Sequence, residues 1–184
     1  MPSRSWRRAL VLGGTRSGKS ELAERLLADE PAVRYVATGA RSADDAEWTR
    51  RIDAHQARRP AGWTTEEVGT DPWRLPSLLA GAVRTDAILV DEIGTWVGAV
   101  MSQADAPAAT PVARMAEELG HAVRACPARL VIVSPEVGLA PVALTPLGRA
   151  FVDALGATNI AIAAACDAVV LVVAGQPVPV KGSW

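Results

Sequence analysis

The sequence is poor in cysteine, has no excess of charge of one sign and contains no long apolar run. Its 184 residues include two cysteines, Cys126 and Cys166, whose wide separation excludes a CxxC metal clip and a disulfide framework. Lysine and arginine together number 19, aspartate and glutamate 20, and the formal net charge is −1. Nucleic-acid-binding proteins normally carry a basic excess, so we expect no nucleic-acid partner, and any anion site must be local.

The apolar segments are too short for a membrane span or a secretory leader. The most apolar tract, residues 160–175, is interrupted by Asp167 and falls short of the roughly 18–20 residues that a span needs. Near the start, only Ala9–Leu12 is continuously apolar, which is shorter than a secretory signal. The sequence therefore predicts a cytoplasmic protein, and its length predicts a single domain over residues 1–184.

Short apolar runs alternate with segments of helical periodicity. The runs are typical of strands covered on both faces, and they are Ala9–Leu12, Val33–Ala37, Ala87–Val90, Leu130–Val133 and Ala168–Val173. Apolar residues at helical spacing lie within 22–27, 48–55, 93–101, 112–123 and 147–162. Val178–Val180 suits an edge strand because Pro179 cannot donate to a ladder, and Gln103–Pro111 has the composition of a loop. This alternation predicts an α/β fold with a mostly parallel sheet and helices on both faces.

A glycine-rich turn follows the first predicted strand and matches G-x-x-x-x-G-K-[ST] in full. Glycines allow the backbone N–H groups to turn toward phosphate oxygens, Lys19 brings positive charge to the β and γ phosphates, and Ser20 offers a hydroxyl to Mg²⁺. A helix that begins at Lys19 points its positive end at the same anion. The sequence therefore predicts a P-loop NTPase-type nucleotide site made of Gly13, Gly14, Thr15, Arg16, Ser17, Gly18, Lys19 and Ser20.

Two carboxylates follow the buried strand Ala87–Val90. Asp91 is expected at the carboxyl edge of the sheet, where open α/β sheets bind ligands, and it is the candidate Mg²⁺ ligand. A helix N-cap is the alternative role for Asp91. Glu92 has the residue type and the position to polarise a water, as in ATP hydrolases.

One of the two histidines lies in a basic segment. His55 is followed by Arg58, Arg59 and Pro60, and the proline ends the predicted helix. Nearby positive charge keeps an imidazole neutral and nucleophilic and also attracts phosphates. A half-buried histidine in a solvated basic helix end is the alternative, and the residues alone leave both open.

Several motifs, taken in order, resemble one known family. They are GGTRSGKS, RIDAHQARRPAGWTTEE, AILVDEIGTWVG, VSPEVGL and GRAFVDALGATN. Together they are similar to the bifunctional adenosylcobinamide kinase / adenosylcobinamide-phosphate guanylyltransferases of cobalamin biosynthesis, and the likeness runs from about Ala9 to Lys181. The phosphate loop alone is unspecific, whereas H-x-x-R-R-P-x-x-W-x-T-x-E, which begins at His55, is distinctive.

The resemblance implies roles for individual residues. It implies that GTP guanylylates His55, that Lys19 is catalytic in the kinase step, and that Ser20 and Asp91 hold Mg²⁺. Besides the phosphate loop and Asp91, it implies nucleotide contacts at Thr38, Gly39, Ala40, Pro60, Ala61, Gly62, Trp63 and Glu67.

The implied partners are adenosylcobinamide and its phosphate, with GTP, or ATP in the kinase step, as donor, and the implied assembly is a homotrimer. The chain departs from the usual family pattern at Glu92, Ala99, Pro135 and residues 140–143, and none of these positions lies in the phosphate loop or at His55. Two other functions fit the residues: a P-loop small-molecule kinase in which His55 only packs, and an ATP-driven binding or switch protein that uses Glu92.

Overall fold

A computed structural model of the chain describes residues 6–39, 60, 62–69, 71–103, 109–141 and 143–183. Its elements in chain order are β1 Arg8–Gly13, α1 Lys19–Leu26, β2 Val33–Ala37, β3 Trp63–Glu67, α2 Arg74–Ala80, β4 Ala87–Asp91, α3 Ile93–Gln103, α4 Ala109–Ala125, β5 Arg129–Pro135, α5 Pro146–Ala165, β6 Ala168–Val173 and β7 Gln176–Lys181. All five predicted apolar strands and the predicted edge strand are confirmed. Across these ranges no helix has the length and apolar character to cross a membrane.

The strands form one sheet in the order β3-β2-β4-β5-β1-β6-β7. Every neighbouring pair is parallel except β6 and β7, which are antiparallel, so the mostly parallel α/β prediction is confirmed. The strand β1 lies between β5 and β6. After β1 the chain crosses to β2 on the β5 side of the sheet, and it later returns to form β6 on the other side of β1. The loop after β1 therefore lies at the carboxyl edge of the sheet, where the strand order reverses.

Two apolar clusters cover the two faces of the sheet. On β1, Leu10 belongs to the cluster that packs against α2, α3, α4 and α5, whereas Ala9 and Val11 belong to the cluster under α1. Successive strand side chains point to opposite faces, so a strand buried on both faces must be apolar at every position. This is why the central strands were visible as continuous apolar runs.

Three segments differ from the prediction. β3 reads WTTEE and is an edge strand whose side chains are half-buried or exposed, so it has no apolar run. α2 is seven residues long with only Leu75 and Leu79 buried, which is too short for a visible helical period. α4 begins at Ala109, inside the segment predicted as loop. Pro111 falls in the first turn of this helix, where a proline is tolerated, so its presence did not exclude a helix. The predicted helical stripe at 48–55 lies outside the described residues.

Asp167 connects the start of β1 to the turn between α5 and β6. Its Oδ2 accepts from the backbone N–H groups of Arg7 (3.0 Å) and Arg8 (2.9 Å), and its Oδ1 accepts from Arg8 Nη2 (2.9 Å). Burial alone would raise the pKa of Asp167, but the hydrogen bonds from the Arg8 side chain and from both backbone N–H groups outweigh it and hold the pKa below its usual range.

The lowered pKa of Asp167 predicts a loss of stability in acid. A carboxylate whose folded pKa lies below its unfolded value of about 3.9 stabilises the protein above that pH and ceases to do so as the pH falls through the folded pKa. We expect Asp167→Asn to lower the free energy of unfolding by about 0.5–1 kcal/mol at pH 7, since solvent screens this partly exposed pair, and by less below pH ~4. Urea unfolding at both pH values measures this, with the exposed Asp153→Asn on α5 as control. A deficit that grows in acid would contradict it.

Both cysteines are buried and free, as expected of small core side chains. Burial raises the pKa of the Cys126 thiol, and burial together with the charge of Asp167 raises the pKa of Cys166 to about 12. Both raised pKa values favour the thiol over the thiolate at neutral pH, and a thiol is a weak nucleophile.

Candidate nucleotide-binding site

The residues after β1 form a compact loop that requires glycine at two positions. An added Cβ at Gly13 would lie 2.4 Å from Ser17 Oγ and 2.9 Å from the Val172 carbonyl oxygen. Gly18 has φ +93°, in the left-handed region that favours glycine, and α1 begins directly after it with Leu22 N–H donating to the Gly18 carbonyl (3.0 Å). The loop thus ends on the N-terminus of a helix, the arrangement that binds phosphate.

Two neighbouring turns hold this loop in place. Glu136 N–H, just past β5, donates to the Gly13 carbonyl (3.0 Å). Gly175 N–H, in the β6–β7 turn, donates to the Ser17 carbonyl (2.8 Å). Ser17 Oγ is buried and has no hydrogen-bond partner among the described residues. A loop held by these hydrogen bonds at the N-terminus of α1 is suited to bind an anion.

Asp91 meets the loop from β4, as predicted. Its side chain is buried, and its Oδ1 accepts from Ser20 Oγ at 3.3 Å. Its Oδ2 accepts from Tyr35 Oη at 2.6 Å, which fixes the orientation of the carboxylate. A carboxylate and a hydroxyl are hard oxygen donors of the kind Mg²⁺ binds, usually with phosphate oxygens and water completing its shell. Among the described residues no three His, Cys, Asp or Glu side chains gather into a metal cluster.

Lys19 and Glu92 lie on the same side of the loop. Lys19 Nζ is 3.8 Å from Glu92 Oε2, and both side chains are largely shielded from solvent. The Glu92 backbone has φ +78°, and its N–H donates to the Val133 carbonyl at 3.2 Å. The P-loop lysine is therefore already paired with an acid at the edge of the cradle.

The other predicted nucleotide contacts that the structure describes lie at two opposite edges of the sheet. Thr38 is buried after β2, and its hydroxyl donates to the Asp91 carbonyl (3.0 Å), with Gly39 next to it. Glu67 ends β3 opposite Ala37, at the same carboxyl edge.

Pro60, Gly62 and Trp63 instead lie at the amino end of β3, where an added Cβ on Gly62 would be 2.7 Å from the Pro31 carbonyl oxygen. A five-residue strand spans about 13 Å at roughly 3.3 Å per residue, so these residues and the phosphate loop lie at opposite edges of the sheet. His55, Ala40 and Ala61 lie outside the described residues.

Sequence reasoning missed three residues that support the site. Tyr35 holds Asp91, and Thr95 Oγ1 lies 2.6 Å from Thr38 Oγ1. Asn159 Oδ1 accepts from the buried Ser134 hydroxyl (2.6 Å) while its Nδ2 donates to the Pro135 carbonyl (3.1 Å), which fixes the end of β5 beside the loop. The sequence signal for Asn159 was its polar side chain among the apolar positions of α5.

A phosphate loop at the carboxyl edge of a parallel sheet, facing a buried strand-end aspartate, defines a P-loop nucleotide-binding protein. The chain matches the family model described as cobinamide kinase / cobinamide phosphate guanyltransferase over residues 9–180, and it belongs to that family.

Named relatives agree with this assignment. The bifunctional adenosylcobalamin biosynthesis protein CobP of Pseudomonas aeruginosa PAO1 is 42% identical over 181 residues, covering 95% of this chain and 98% of the relative. The bifunctional adenosylcobalamin biosynthesis protein CobU of Salmonella typhimurium LT2 is 39% identical over 184 residues, covering 94% and 98%.

Among solved structures, the P4 protein from bacteriophage phi6 in complex with ADP has a TM-score of 0.48 at 12% identity, covering 94% of this chain and 54% of that one. A likeness at that level carries no argument about function.

Proposed function

We propose that the chain phosphorylates adenosylcobinamide with a nucleoside triphosphate and then transfers GMP from GTP to the product through a guanylyl group on His55. The observation that carries the proposal is the phosphate loop with Lys19, seated against buried Asp91, in a member of the cobinamide kinase / cobinamide phosphate guanyltransferase family. Both steps transfer a phosphorus group from an anionic triphosphate, and this cradle is suited to that chemistry.

In the kinase step the chain supplies positioning and charge. The backbone N–H groups of the loop and the N-terminus of α1 would bind the phosphates, and Lys19 would stabilise negative charge on the transferred phosphoryl group. The acceptor is the hydroxyl of the aminopropanol arm, whose oxygen forms a bond to the γ-phosphorus as the bond to the β,γ-bridging oxygen breaks. Glycine at position 13 lets the loop pack closely, because a side chain there would meet Ser17 and the Val172 carbonyl.

Ser20 and Asp91 are the residues that would hold Mg²⁺. The ion, when bound, would neutralise charge on the triphosphate. Asp91 Oδ1 and Ser20 Oγ are 3.3 Å apart, and Tyr35 Oη donates to the other carboxylate oxygen. The support for this site is the hard-oxygen donor set and its position beside Lys19.

Tyr35→Phe tests the orientation of Asp91. The variant loses the 2.6 Å hydrogen bond to Asp91 Oδ2, so the carboxylate is less well aligned. Because removal of such a supporting contact typically costs 10–100-fold in metal affinity, we expect the Mg²⁺ concentration for half-maximal kinase activity to rise about 10-fold. Saturating Mg²⁺ should restore the wild-type kcat. An unchanged Mg²⁺ requirement would show that Tyr35 does not position a metal ligand.

In the guanylyl step a neutral His55 would attack the α-phosphorus of GTP. A nitrogen–phosphorus bond forms, the bond to the α,β-bridging oxygen breaks, and pyrophosphate leaves with the electron pair. The phosphate oxygen of cobinamide phosphate then displaces the histidine nitrogen, giving the GDP derivative and free His55. The support is the H-x-x-R-R-P-x-x-W-x-T-x-E motif that begins at His55.

We extend the proposal to the surroundings of the guanine nucleotide and to assembly. Nucleotide contacts are proposed at Thr38, Gly39, Ala40, Pro60, Ala61, Gly62, Trp63 and Glu67. Since Gly62 and the phosphate loop lie at opposite edges of the sheet, we expect one nucleotide to contact both only where two subunits each supply one of them. A homotrimer in the cytoplasm, proposed from the family resemblance, provides such a subunit, and light scattering measures its mass.

One experiment separates this function from its rivals. The protein is incubated with Mg²⁺ and adenosylcobinamide, first with GTP or ATP labelled at the γ-phosphate and then with GTP labelled at the α-phosphate. We expect γ-label in cobinamide phosphate, then α-label on the protein and in a GDP derivative. Transfer of γ-label alone would leave a small-molecule kinase. Release of inorganic phosphate without transfer would leave an ATP-driven switch.

A further inference from the structure

The backbone of Glu92 has a conformation that L side chains rarely adopt. Its φ is +78°, in the left-handed region that glycine enters freely. Hydrogen bonds hold it there: the Glu92 N–H donates to the Val133 carbonyl, and the Glu92 carbonyl accepts from the Thr95 hydroxyl at 2.7 Å. A residue that several surrounding contacts hold in an unfavourable backbone conformation is typical of a functional site.

This backbone directs the Glu92 carboxylate toward the phosphate loop. Oε2 lies 3.8 Å from Lys19 Nζ, and Oε1 occupies the space beside Gly94, where an added Cβ would lie 3.1 Å from it. The Glu92 side chain is 31% exposed and that of Lys19 12%, so the carboxylate is the more accessible partner of this ion pair. Because the P-loop lysine contacts the β and γ phosphates, the carboxylate lies next to the position of the γ-phosphate.

Helix stabilisation does not account for this arrangement. α3 begins at Ile93, and a carboxylate near a helix N-terminus is favoured by the helix dipole. That effect requires neither a left-handed backbone nor an approach to Lys19, since any acid in the first turn supplies it. The arrangement instead places a carboxylate beside the P-loop lysine, and an acceptor hydroxyl must come to the γ-phosphate that such a lysine contacts.

We propose that Glu92 is a further catalytic residue of the phosphoryl-transfer step, one that accepts a hydrogen bond from the acceptor hydroxyl of cobinamide and takes its proton. The inference rests on the proposed function. As the hydroxyl oxygen bonds to the γ-phosphorus, the bond to the β,γ-bridging oxygen breaks and its electron pair stays on the nucleoside diphosphate. The proton passes to Glu92 and then to solvent. Lys19 offsets the repulsion between this carboxylate and the phosphates.

The test uses Glu92→Gln, which keeps the shape of the side chain but cannot take the proton. We expect kcat for cobinamide phosphorylation to fall about 10²-fold, the lower end of the range for general bases. KM for cobinamide and the Kd of a non-hydrolysable triphosphate should stay near the wild-type values, since Lys19 and the loop are intact. Glu117→Gln, an exposed residue of α4, is the matched control and should retain the wild-type kcat.

A second variant separates the effect of the Glu92 carboxylate from that of its backbone conformation. Glu92→Gly adopts φ +78° without strain and also lacks the carboxylate, so the same loss of kcat in a stably folded protein supports the inference. A wild-type kcat in Glu92→Gln would overturn it, as would a loss of nucleotide affinity equal to the loss of kcat, because Glu92 would then act through Lys19. If the wild-type protein forms no cobinamide phosphate, both the proposed function and this inference fail. If wild type and Glu92→Gln phosphorylate cobinamide at equal rates, only the inference fails.

Discussion

Replacing His55 by alanine is expected to abolish covalent labelling of the protein by GTP carrying label at its α-phosphate. In the wild type we expect label that survives denaturation, is lost in acid and resists alkali, the behaviour of a phosphoramidate. Denaturing gels after each treatment measure this. The reason is chemical: without the imidazole nitrogen no nucleophile in the motif can form that bond, whereas a neutral histidine forms it readily.

The chain provides its own control, because it has two histidines. His121 is exposed on α4, far along the chain from the motif, so His121→Ala should retain the label. Phosphorylation of cobinamide by γ-labelled GTP should continue in His55→Ala, since that step attacks a different phosphorus atom. Label retained in His55→Ala, or lost equally in His121→Ala, would contradict the assignment of His55 as the nucleophile.

The contact between Ser20 and Asp91 could be predicted from the sequence because parallel strands end at one edge of a sheet. The loop motif follows one apolar run and Asp91 follows another, so their proximity required no knowledge of side-chain contacts. The central strands were equally visible, since burial on both faces demands apolar residues at every position.

The supporting contacts depend on register, which local patterns do not contain. Tyr35 reaches Asp91 because Ala37 pairs with Asp91 and Tyr35, two residues earlier, lies on the same face of the sheet. An isolated tyrosine in an apolar run carries no sign of that role. The left-handed backbone of Glu92 was equally hidden, because residue type alone would favour glycine or asparagine there.

The edge elements were missed for a different reason. β3 gains its place by pairing with β2, not by burying an apolar face, so its sequence contains charged and hydroxyl side chains. α2 packs only two leucines into the core. In both, tertiary contacts decide the structure where intrinsic propensity is weak.

Lys19→Met is expected to lower kcat for phosphoryl transfer about 10³-fold, the upper part of the range for loss of one group that stabilises transition-state charge. Methionine keeps the apolar stem of this largely buried side chain but removes its charge, and Glu92 then loses its ion pair with Lys19, so triphosphate affinity should fall as well. Single-turnover kinetics and nucleotide titration measure the two effects. Arg25→Ala removes a positive charge from the last turn of the same helix and should leave both near wild type. A Lys19→Met protein that binds and transfers normally would show that the loop is not the site of phosphoryl transfer.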